Sequence, residues 1–150
     1  MRTRAPKERI GEEWTSGHVV TRLVRMEGYA EISVKSTRLL GMRMDGIKVD
    51  DTGTVCFMHP QIGEEIKANV GSETASQLQG KGSKNAVIEV LSALRDEFLR
   101  MQGTEGGRIL LETRYAPPFP LEGNHQKVAY VEWEPYIKFL DRAVASLVNQ

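Results

Sequence analysis

A single cysteine, Cys56, is all that this chain offers for sulfur chemistry, so no internal disulfide can staple the fold. That absence points to a reducing compartment, and a cytoplasmic location is the expectation. Long apolar runs are missing too. Nothing approaches the roughly 18 uncharged residues of a spanning helix, and the charged N-terminal stretch lacks the apolar segment of a secretory signal, so no membrane partner is expected. An excess of one charge is the third absence. Lys and Arg number 20 and Asp and Glu number 20, so no global field draws the chain onto nucleic acid or an anionic membrane, and contact with phosphate has to come from a local patch. Aromatic residues are few, at 7%, which leaves aliphatic side chains to fill most of the core. Internal repeats, low-complexity tracts and domain linkers are also lacking.

What is present has the size and composition of one domain: 150 residues, 40% apolar and 27% charged. Residues 1–13 read as a basic N-terminal arm, in which Arg2, Arg4, Lys7 and Arg9 face Glu8 alone among the first ten positions. Residues 14–150 read as a single α+β domain. From Gly17 to about Val70 the pattern is strand-like. In "YAEISVK", Ala30, Ile32 and Val34 share one face and Glu31, Ser33 and Lys35 the other, which is a half-buried strand. His18 to Met26 precedes it as a strand, and Leu40, Met42 and Met44 alternate after it.

"KVDDTGTVCF" carries the best turn signal in the chain, a hairpin built on Asp50-Asp51-Thr52-Gly53, and His59-Pro60 ends its returning strand. Between Pro60 and Gln79, Ile62, Ile66 and Val70 suggest a short helix that Gly63 and Gly71 weaken. Val87, Val90, Leu91, Leu94, Phe98 and Met101 recur at spacings of three and four and predict a helix from about Lys84 to Gln102, with Ser83 as N-cap and Gly103 just past its end. Strands around 108–115 and 127–134 and a terminal helix opening at Pro135 complete the expectation. The fold class predicted is α+β, an antiparallel-rich sheet with two main helices packed on one face.

Four motifs carry chemistry. "LQGKGSKNA" combines glycines, Lys81 and Lys84 with a helix start, the parts that bring backbone N–H groups and a positive dipole end to an anion. It is not a P-loop, because Lys81 is followed by Gly82 rather than a hydroxyl and no buried strand leads into it. Cys56 and His59 form a Cys-x-x-His half-site, yet the other histidines, His18 and His125, are distant in sequence, so no metal is expected. Asp50, Asp51, Glu65 and Lys67 resemble the acid and lysine set of a metal-dependent nuclease or phosphohydrolase. Arg108, Arg114, Tyr115, Phe119, Tyr130, Trp133 and Tyr136 mix basic and aromatic character, but strand alternation divides Arg114 from Tyr115.

The functional expectation is a non-catalytic binding or accessory domain that contacts a phosphate-bearing ligand or nucleic acid. The residues expected to do so are Arg2, Arg4, Lys7, Arg9, Lys81, Ser83 and Lys84, without a cofactor. The alternatives are a homo-oligomeric assembly protein without a small-molecule ligand, and the metal-dependent hydrolase on Asp50, Asp51, Glu65 and Lys67. Whether arm and loop share a surface is the geometric question that the sequence poses.

Overall fold

A computed structural model describes residues 9–38, 42–60, 63–104 and 133–150. Six strands run β1 Arg9–Ser16, β2 Val19–Met26, β3 Tyr29–Ser36, β4 Arg43–Asp50, β5 Thr54–His59 and β6 Glu64–Asn69. Each pairs antiparallel with the next, in the order β1 to β6 of one sheet. Alternation sets the two faces. Leu23 lies opposite Ile32 and Thr21 opposite Val34, all four buried, whereas the neighbouring pairs Arg22–Ser33 and Val20–Lys35 fall on the other side. One extra residue in β4 relative to β3 lets Met44 pair with Val34 and Ile47 with Ile32, so both stay on the inner face across the irregularity.

Among the described residues, three helices cover that inner face: α1 Ser72–Gln79, α2 Lys84–Gln102 and α3 Glu134–Val148. The stripe Val87, Val90, Leu91, Leu94 and Phe98 on α2 is fully buried, as are Leu140, Ala143 and Leu147 on α3, and they form one cluster with the sheet residues. Helices α2 and α3 run antiparallel, since Lys84 meets Gln150, Arg95 meets Asp141 and Gln102 meets Glu134 along their length. The architecture is therefore α+β with an antiparallel sheet and its helices on one face. Among the described residues, no helix is long and apolar enough to cross a membrane.

The hairpin at Asp50 forms as its residues dictate. The Asp50 carboxylate accepts the Thr52 hydroxyl at 2.6 Å, the Thr54 N–H at 3.1 Å and the Thr52 N–H at 2.9 Å, and these bonds, the hydroxyl first, hold its pKa below the usual carboxylate range. Gly53 takes φ 84°, and a Cβ there would overlap the Gly71 backbone.

Three segments differ from expectation. The sequence suggests a helix through Ile66, but the chain forms β6 there and a helix only from Ser72. A spacing of four repeats a face in a strand as well as in a helix, and pairing with β5 decides the outcome. Strand β1 takes the last five residues of the stretch read as an arm. Its alternation is hidden by the register shift at Gly11, which separates the pairs Ile10–Val24 and Glu12–Leu23. Trp133 and Glu134, read as the end of a strand, are the N-cap and first residue of α3. The strands expected at 108–115 and 127–132 lie outside the described residues.

Candidate functional site

The glycine and lysine loop joins α1 to α2 and is held from below by Arg25 of β2. The Arg25 guanidinium donates to the Leu78 carbonyl at 2.7 Å, to the Gly80 carbonyl, and to the Ser83 hydroxyl oxygen at 2.9 Å. Glu12 of β1 lies 3.5 Å from the same guanidinium and accepts the Gly82 N–H at 3.0 Å. Gly11 makes room for this arrangement, because a Cβ there would come within 2.5 Å of Arg25.

Ser83 occupies the N-cap position, as its place in the sequence suggests, but caps nothing with its side chain. Its hydroxyl turns back toward the Gln77 and Gly80 carbonyls, at 3.1 and 2.6 Å. The Gly82 N–H and the Ser83 hydroxyl, two donors that an anion would use, are thus engaged within the protein. Lys81 is exposed with no ion pair among the described residues, and Lys84 reaches the Gln150 main-chain oxygen at 3.2 Å. The arm's root arrives at the same corner, since the Arg9 backbone pairs with Arg25. Arg2, Arg4 and Lys7 lie outside the described residues.

The other motifs are dispersed. Cys56 and His59 are three positions apart on β5 and so point to opposite faces of the sheet. Cys56 is partly exposed on the outer face, where burial first and then Glu65 raise its thiol pKa. His59 is fully buried among rings, 5.8 Å from Phe98 and 5.0 Å from both Trp133 and Tyr136. Burial pushes its imidazole down to about 4. Asp50 is engaged in its turn, while Glu65 pairs with Lys67 at 3.8 Å beside Met58, toward the other end of β5. No cluster of three or more metal-ligating side chains forms among the described residues. Trp133 and Tyr136 belong to the core around His59, and Arg108, Arg114, Tyr115, Phe119 and Tyr130 lie outside the described residues.

A cleft that no local motif announces opens at the opposite end of β2 from Arg25. Its volume is about 310 Å³, and it is lined by the β1–β2 turn (Ser16, His18, Val19), by Ser36 and Arg38 at the end of β3, and by Arg142, Ala145, Ser146 and Asn149 of the last turns of α3. The Thr37 N–H donates to the His18 carbonyl at 2.6 Å and ties two of these walls together. Ser36 accepts the Arg38 N–H at 3.3 Å and keeps its hydroxyl proton available, whereas Ser146 donates to the Ala143 carbonyl at 2.7 Å.

Among the described residues, the lining contains no carboxylate. Among the described residues neither Arg38 nor Arg142 makes an ion pair, while Arg25, Arg43, Arg95 and Arg100 each do. The carbonyl end of α3 contributes roughly half a negative charge at this place, which two guanidinium charges outweigh.

No known protein family, characterised protein or solved structure matches this chain. The geometry of its own side chains carries the functional reading.

Proposed function

We propose that this protein is a non-catalytic binding domain for a phosphate-bearing ligand, and that the phosphate is received in the cleft between the β1–β2 turn, Arg38 and Arg142. The observation that carries the reading is a lining in which the described residues include two guanidinium groups outside any described ion pair and no carboxylate. Guanidinium matches the geometry of phosphate oxygens bidentately, and charge-assisted hydrogen bonds of this kind contribute about 1.5–3 kcal/mol each. The Ser16 and Ser36 hydroxyls and the Asn149 amide supply neutral donors around the same space. A cleft of about 310 Å³ is at the lower limit for small-molecule sites, which suits a phosphate with one attached group. Engagement of the Asp50 carboxylate by its own turn supports binding rather than hydrolysis as the reading.

The test is titration calorimetry at low salt with a 5′-phosphorylated dithymidylate. Wild-type protein is expected to bind it, and Arg38→Ala/Arg142→Ala to bind about tenfold more weakly or worse with unchanged thermal stability. Absence of binding by the wild type, or equal binding by the double variant, would sink the proposal.

A further inference from the structure

Resting on that reading, we infer that the phosphate-bearing ligand is a single-stranded nucleic acid whose backbone leaves the cleft and continues past Lys84 to Lys81 at the glycine loop. Two independent connections place these cations on one path. Asn149 lines the cleft, and the next residue, Gln150, accepts the Lys84 ammonium at 3.2 Å, so Lys84 stands at the cleft's rim. Along the sheet edge, Glu12 receives the Gly82 N–H at 3.0 Å while Ser16 of the same strand lines the cleft. Those two positions are four strand residues apart, about 13 Å at 3.3 Å per residue.

A ligand with one phosphate cannot engage both ends of such a path. A strand with a stacked rise of 3.4 Å per nucleotide covers it with about four nucleotides. Glu13 on β1, exposed beside the path, disfavours a second phosphate backbone next to the first. Trp14, the aromatic residue of β1, packs toward the core instead of lining the path as a stacking platform. Recognition is therefore through the backbone, sensitive to salt and tolerant of base sequence.

Fluorescence anisotropy on the full chain tests this with labelled, 5′-phosphorylated thymidylates of two and eight nucleotides across a potassium chloride series. The longer strand is expected to bind about tenfold more tightly. Its plot of log affinity against log salt should be steeper by about 1.4, since each added phosphate contact on a single strand contributes about 0.7. Lys81→Ala, at the loop end of the path, should remove about half of that difference in slope, one contact of about 0.7, and leave the dinucleotide's affinity unchanged, while Lys81→Arg should retain it. Equal affinity of wild-type protein for both lengths would overturn the single-strand inference and leave a small phosphate ester in the cleft. Duplex binding as tight as that of the eight-nucleotide strand would overturn it too. Failure to bind either thymidylate would remove the cleft reading itself.

Discussion

His59 couples stability to pH through one ring. It is fully buried beside Phe98, Trp133 and Tyr136, and burial holds its pKa at about 4 against an ordinary value of 6.5. Between those values the unfolded chain binds a proton that the folded chain does not. The stability tied to the neutral ring is complete above about pH 6.5, is lost as pH falls toward 4, and changes no further below that. A displacement of this size corresponds to about 3 kcal/mol. Urea unfolding of the wild type and of His59→Phe at pH 7 and pH 4 isolates the effect from carboxylate titration. The wild type should lose about 3 kcal/mol more than the variant over that interval, and parallel losses would contradict a neutral buried ring. Three positions away, Cys56 shows how strongly strand alternation separates neighbours: its thiol sits on the outer face while the imidazole is enclosed. A Cys-x-x-His spacing can close on a metal only when the backbone turns between the two residues, and here it is extended.

Arg25 links elements that are distant in sequence, joining β2 to the end of α1 and the start of α2, with Glu12 of β1 closing the arrangement. Arg25→Ala would strand the Leu78 carbonyl, leave the Gly80 carbonyl to the Ser83 hydroxyl alone and deprive Glu12 of its cation. The expected cost is about 2–3 kcal/mol, with faster hydrogen exchange at the Gly82 amide. Arg25→Lys should recover little, because one ammonium cannot reproduce a guanidinium that reaches several acceptors at once. Exchange at Gly82 unchanged in the alanine variant would show that the loop is held by something else. The same corner shows what the sequence could and could not convey. The α2 stripe and the Asp50 turn were legible because their causes lie within a few residues of one another. Ser83 correctly marked where α2 begins, but its hydroxyl's role depends on an arginine 58 positions away. Strand β6 was hidden because Ile66 and Val70, four apart, satisfy both periods, and β1 because Gly11 shifts the alternation of its acidic residues.

For the molecule as a whole, a net charge of zero conceals an uneven distribution of pairing. Arg43, Arg95 and Arg100 are matched by nearby carboxylates, whereas Arg38, Arg142, Lys81 and Lys84 are not among the described residues. No motif reading could assemble the cleft from positions 18, 38 and 142, because these residues stand in three segments far apart in sequence and the fold alone makes them neighbours. The lysine loop, which the sequence did single out, survives as the far end of the proposed path. The order of the strands has a consequence of another kind. Since each described strand pairs with its immediate predecessor, these six can come together while the chain is still being synthesised, each ribbon zipping onto the last at little loop-closure cost. Its cover arrives late: α2 and α3 supply the layer over Leu23, Ile32, Ile47 and Phe57 only after β6 is made. A fragment ending at Ser83 is expected to retain β-type circular dichroism yet bind a hydrophobic dye strongly, and a soluble, dye-silent fragment would show that the sheet and α1 suffice. During synthesis, then, a nascent chain of this design exposes a finished greasy surface to solvent or to a chaperone, and the interval before its lid is translated is when it is most open to aggregation.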